Sequence, residues 1–104
     1  NDEIYTMQPD GAAVSRLTRN TIAINDHAPA WSPDYTRLVF ESDRDGNRDI
    51  YVMQADGTAQ TNLTGNHSGN DESPSWSPDN TRIAFSSFRD GNSDIYVMNS
   101  DGSE

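Results

Sequence analysis

The chain has 104 residues, 17 acidic against seven basic side chains, a formal charge of −10 at pH 7 and no cysteine. All the basic residues are Arg and thirteen of the acids are Asp, a surface that repels nucleic acid and anionic lipid, since both need clustered basic side chains. No stretch is apolar for the roughly 20 residues of a membrane-spanning helix, and without cysteine the redox compartment cannot be read from disulfides.

In chain order, residues 3–11 (EIYTMQPDG) read as a strand running into an Asp-Gly turn. After a connection from Arg19 to Ala28, a strand ends at Trp31-Ser32, where Pro33-Asp34 suits the centre of a type I turn because proline presets φ. Arg37 to Ser42 alternates, with Leu38 and Phe40 on one face and Val39 on the other. Asp45-Gly46 within Arg44–Asn47 signals a hairpin, since glycine accepts positive φ. Asp49–Met53 is dense in β-formers, Ala55–Thr58 makes the next turn, and Thr61–Thr64 is a shorter, polar strand suited to an outer edge. Residues 65–73 (GNHSGNDES) lead back to Pro74. No window carries a helical apolar stripe.

From Pro74 the text repeats. Residues 29–57 and 74–102 align without a gap at a spacing of 45, identical at 20 of 29 positions, and residues 3–11 repeat the tail of the unit at a spacing of 46. A period of this length, filled with short strands, marks a repeated all-β unit that stacks on its neighbours. With the strands of a unit lettered A to D, residues 1–18 hold C and D of a partial unit, 19–28 a connection, 29–64 a complete unit, 65–73 a second connection, and 74–104 strands A to C of a further partial unit. Trp31, Trp76 and the Ile-Tyr-Val-Met segments suit packing between units.

The run W-S-P-D-x-T-R-[IL]-[AV]-F-x-S-x-R-D-G-N-x-D-I-Y-V-M-x-x-D-G, at Trp31–Gly57 and Trp76–Gly102, resembles the WD40-like (PD40) repeat of TolB-type β-propellers. Related repeats occur in the non-catalytic propellers of tricorn protease and prolyl-oligopeptidase-like peptidases. The resemblance implies an all-β fold of four-stranded antiparallel blades standing radially around a channel, here one complete blade and two partial ones, completed by other chains or by further sequence. It also implies that the D-to-A connections and B-to-C hairpins share one channel mouth. This groups Asp26, His27, Arg44, Asp45, Asp71, Glu72, Arg89 and Asp90 as candidate partner-binding residues on an acidic face punctuated by arginine.

Catalytic and metal-binding arrangements are not expected. Asp43-x-Asp45-Gly46-Asn47-x-Asp49 has the closely spaced carboxylates of a calcium loop but lacks the bidentate Glu at the twelfth position. The second copy puts Phe88 where the first ligand would stand, so calcium is not favoured there. His27 and His67 occupy different places in their units and form no repeated ligand pair; neither has a nucleophilic partner in a catalytic motif, and no cofactor motif is present. Asn62-Leu63-Thr64 and Asn66-His67-Ser68 match the N-glycosylation pattern. The expected function is a non-enzymatic scaffold for a protein partner or for copies of itself, within a larger ring. A substrate-gating accessory propeller of a hydrolase or peptidase, and a self-assembling structural subunit of a ring or filament, are the alternatives. Composition favours a periplasmic or extracellular location, and the start at Asn1 fits a processed chain or a fragment.

Overall fold

A computed structural model describes residues 1–20 and 23–103; residues 21 and 22 of the first connection and residue 104 lie outside the described residues. Nine strands form three antiparallel sheets. The first holds β1 (Tyr5–Thr6) and β2 (Ser15–Arg16), the second β3 (Asp26–Trp31), β4 (Arg37–Ser42), β5 (Asp49–Gln54) and β6 (Thr61–Asn62), the third β7 (Asp71–Trp76), β8 (Arg82–Ser87) and β9 (Asp94–Asn99). This is one complete four-stranded blade between two partial ones, with no helix among the described residues.

The innermost strands start earlier than the Pro29 and Pro74 boundaries. In β3 the register passes from His27↔Glu41 to Ala30↔Val39, and in β7 from Glu72↔Ser86 to Ser75↔Ala84, so each strand carries one extra residue. Ala28 (φ 53°) and Ser73 (φ 55°) absorb these bulges, followed by Pro29 and Pro74, which have no N–H to offer a ladder. Asp26, His27, Asp71 and Glu72, read from the sequence as connection residues, are therefore strand residues. The predicted turn is present: Tyr35 N–H donates to Ser32 O at 2.9 Å and Asn80 N–H to Ser77 O at 3.2 Å, enclosing Pro33-Asp34 and its repeat.

The two faces of the middle blade have separate cores. Leu38, Phe40, Tyr51 and Met53 pack against Ile4 and Leu17 of the first sheet, whereas Val39 and Ile50 pack against Ile83, Phe85 and Met98 of the third. Phe40, Val39, Ile50 and Met53 have no exposed surface, and burying each large apolar side chain contributes about 1.5–3 kcal/mol. The alternation of Arg37–Ser42 thus feeds two junctions, because blades cover both faces of a central sheet.

The outermost strand adds a side-chain device to the ladder. Leu63 N–H donates to Ile50 O at 2.8 Å while Ile50 N–H donates to Thr64 Oγ1 at 2.9 Å. Leu17, Thr18 and Ile4 repeat the arrangement with the same distances, 2.8 and 2.9 Å. The Leu-Thr pair therefore ends the outer edge of the first two units with its threonine buried.

Trp76 seals the second junction, its Nε1 donating to Ala30 O at 3.2 Å and its ring lying 4.8 Å from the Arg37 guanidinium. Trp31, in the same place one unit earlier, is 42% exposed and meets only the edge of Tyr35 among aromatic rings. Among the described residues the first sheet holds only β1 and β2, with no inner strands for it to cover.

Candidate functional site

At one end of the blades, each connection into an inner strand is tied to the hairpin of its own blade. Asn25 N–H donates to Asp43 Oδ1 at 2.8 Å and Asp43 N–H to Asn25 O at 3.3 Å; Phe88 N–H donates to Asn70 O at 3.0 Å. The same residues clamp the preceding blade. Asp2 N–H donates to Asn25 Oδ1 at 3.0 Å and Asp26 N–H to Asp2 O at 2.9 Å. At the next junction Arg48 N–H donates to Asn70 Oδ1 at 3.0 Å and Asp71 N–H to Arg48 O at 2.8 Å. The Asn-Asp dipeptide, repeated at a spacing of 45, is the inter-blade clamp.

The arginines of the hairpins sit beside these aspartates. Arg44 donates from Nε to Ser42 Oγ at 2.8 Å, from Nη1 to Gln60 Oε1 at 2.8 Å and from Nη2 to the fully buried Asp26 Oδ2 at 3.0 Å. Its guanidinium lies 4.6 Å from the Tyr51 ring, which stacks on Phe40. Arg89 keeps the Ser87 bond at 2.9 Å and the Tyr96 contact at 4.3 Å, but stands 3.9 Å from Asp71. Asp71 is fully buried; His67 Nε2 approaches it at 3.0 Å without hydrogen-bond geometry, and its carboxylate accepts no hydrogen bond among the described residues.

Asp45 and Asp90 project at the hairpin tips, where each accepts a hydrogen bond from a tyrosine hydroxyl of its own blade, Tyr51 and Tyr96. These bonds raise the pKa of Tyr96; for Tyr51 burial is the larger cause, with the Asp45 bond adding to it. Asp45 in turn is held below the ordinary carboxylate range by Tyr51 and then Asn62. His27 Nδ1 stands 3.2 Å from Glu41 Oε1, and Glu72 pairs with Arg48 at 3.1 Å across the junction. Of the eight candidate residues, then, Asp26 and Asp71 are interior, Arg44 and Arg89 are packed over aromatic rings, and Asp45, Asp90, His27 and Glu72 retain exposed or half-buried surface.

Sequence reasoning missed Glu41 and read Asp49 only as a member of the calcium-like spacing. Glu41 is buried and accepts from Ser73 N–H at 2.8 Å across the junction, fixing the β7 bulge. Nothing in the unit's text marks it, since its repeat is Ser86. Asp49 is also buried, and burial raises its pKa despite hydrogen bonds from Asn62 at 2.8 Å and Asn47 at 2.9 Å; the charge of Asp71 pushes the same way. In the opening unit Glu3 takes this place. Burial pushes its pKa up, but donation from Thr18, Asn20 and Arg16 outweighs that and the net shift is downward.

The calcium-like spacing does not converge on one point. Asp43 serves Asn25, Asp45 serves Tyr51 and Asn62, and Asp49 serves Asn47 and Asn62. Among the described residues no three His, Cys, Asp or Glu side chains gather to hold a metal ion. Asn62 is likewise consumed by Asp45 and Asp49, whereas Asn66 and Ser68 are exposed. A cleft of about 550 Å³ is lined by Asn1–Tyr5, Arg16 and Asp26–Pro29.

Solved structures with the same arrangement cover nearly the whole chain. A protein described as TolB from Agrobacterium tumefaciens matches 98% of it at 25% identity and a TM-score of 0.86, and TolB from Acinetobacter baumannii matches 98% at 25% identity and 0.77. Tricorn protease shares the fold over 98% of the chain at 22% identity and 0.71. The chain spans 39%, 25% and 9% of these three structures respectively. No curated protein sequence matches it. The family model of the TolB β-propeller domain, PD40, matches residues 22–104, and the chain belongs to that family.

Proposed function

We propose that the chain is a non-enzymatic interaction scaffold, part of a larger propeller ring, which presents its hairpin and connection end to a protein partner in the periplasm. The observation that supports this most directly is the Asn-Asp clamp. Because Asn25, Asp26, Asn70 and Asp71 bond both to their own blade and to the preceding one, the loops are held as one surface, and a preorganised surface loses little entropy on binding. Its interior members hold the surface in shape; His27, Asp45, Arg48, Glu72 and Asp90 form the part open to a partner.

The test is capture from a periplasmic extract with the tagged chain, compared with an Arg48→Glu variant. The Arg48 side chain is 43% exposed in its pair with Glu72, so its reversal alters the face rather than the core. A protein retained by the wild type and lost by the variant at equal thermal stability supports the reading. Equal retention by both moves the interface away from this end.

A further inference from the structure

We propose that His67 is a proton-operated latch on the second connection, exchanging its hold on Gly69 for an ion pair with the buried Asp71 as the pH falls. The inference goes beyond the partner reading and uses groups that lie between the second and third sheets. At the first junction the buried Asp26 meets Arg44 at 3.0 Å, and arginine keeps its charge at every physiological pH. At the second, Arg89 stands back at 3.9 Å from Asp71 Oδ1, and His67 Nε2 comes to 3.0 Å from Asp71 Oδ2. The repeat copies the aspartate but not the histidine, since the residue 45 places before His67 is Ile22. A permanent countercharge has thus given way to a side chain of the type that switches charge between about pH 5 and 8.

The other ring nitrogen fixes the starting state. Gly69 N–H donates to His67 Nδ1 at 3.1 Å, so the neutral ring carries its proton on Nε2, toward Asp71. A second proton enters only at Nδ1, where it turns the acceptor into a donor and leaves Gly69 N–H without its partner. The charged ring in turn compensates a carboxylate that has no exposed surface and accepts no hydrogen bond among the described residues, and an uncompensated buried charge is costly. The other charged groups around this pair are Arg89 of the following hairpin and Asp49 at the head of β5, whose pKa is raised by burial and then by the charge of Asp71. Arg48 and Glu72 are paired with each other at 3.1 Å across the junction. Gly69 acts as the lever because both blades hold it. Its carbonyl accepts from Asn47 Nδ2 of the preceding hairpin at 3.1 Å, and a Cβ added to it would lie 2.8 Å from the Phe88 backbone of the following one. Acidification therefore tightens the start of β7 and loosens the connection above it.

Nitrogen NMR of the isotope-labelled chain, titrated from about pH 8 to about pH 5 across the histidine range, tests this. At the alkaline end the His67 ring is expected as the Nε2–H tautomer. On acidification the Gly69 amide signal is expected to move with the His67 ring signals at one midpoint, and His67→Gln abolishes that movement. Asp71→Asn lowers the His67 midpoint by about one pH unit, since a nearby carboxylate favours the charged ring, and leaves that of His27 in place. A neutral His67 ring protonated on Nδ1, a Gly69 amide that stays still, or a midpoint indifferent to Asp71→Asn overturns the proposal. The first two are read on the wild type, so they decide the matter even where Asp71→Asn fails to fold. No partner enters the titration, so its failure is distinguishable from loss of partner capture by Arg48→Glu.

Discussion

Strands β5 and β9 carry the same five residues, Asp-Ile-Tyr-Val-Met, and live in different environments. Ile50 has no exposed surface and Ile95 is 75% exposed; Asp49 is buried and Asp94 exposed. The methionines that face the preceding blade differ little, Met53 and Met98 being 0% and 5% exposed. Identical local sequence therefore yields an identical strand, while burial, and with it energy, is set by whether another blade stands on the far face. A propeller unit holds half of each junction, and its stability is shared with its neighbours.

Breaking the arginine stack gives the largest expected difference between the two blades. Arg44→Met leaves the buried Asp26 carboxylate, among the described residues, with Asn20 Nδ2 at 2.6 Å as its one side-chain donor, and removing one member of a buried pair costs about 3–5 kcal/mol. Arg89→Met costs less, because Arg89 stands 3.9 Å from Asp71. Urea unfolding of both variants checks the order; equal losses would show that the aromatic contact, rather than the ion pair, carries the stability. Next, Ile50→Ala is expected to cost about 2–5 kcal/mol, against less than about 0.5 kcal/mol for Ile95→Ala in the monomer. Equal midpoint shifts would contradict the burial difference.

A smaller contrast separates the tryptophans. Trp76→Phe removes the hydrogen bond to Ala30 O and is expected to cost about 1 kcal/mol, whereas Trp31→Phe leaves thermal stability within about 0.5 kcal/mol of wild type. The smallest effect is a pH dependence. The pKa of Asp49 is raised by burial above its ordinary value of 3.8. Its protonated form therefore favours folding, a contribution fully present below the unfolded pKa and lost as pH rises through the folded one. Asp49→Asn gives up one of the two hydrogen bonds, because its amide nitrogen cannot accept from Asn47 or Asn62. It no longer titrates, however, so its stability relative to wild type is expected to be highest at pH 7 and to shrink toward pH 3.8. Chemical denaturation across that window reads it, and a gain that grows on acidification would reverse the assignment.

Much of the fold was legible because its signals are local or repeated. Pro33-Asp34 set a turn wherever it occurred, the spacing of 45 gave the unit, and two-sided alternation in Leu38-Val39-Phe40 required cover on both faces. The candidate site was legible only in outline. The family resemblance implied that the hairpins and connections lie together, yet it could not show that Asp26 and Asp71 turn inward. The bulges at Ala28 and Ser73 extend the strands back through those aspartates, and an extra residue in a strand leaves no period in the text. Glu41 and Asp49 escaped for a related reason, since their roles are defined by groups some 22 to 32 residues away, such as Asp71 and Ser73.

The sequence by itself determined the strands, their turns, the all-β class and the period, because each rests on propensity, φ preference or repetition within a few residues. Tertiary structure alone decided which copy of a repeated side chain is core and which is surface, and which carboxylates are structural. Those properties depend on what packs across a junction, where a buried charge must find a partner and an uncovered Ile must face water.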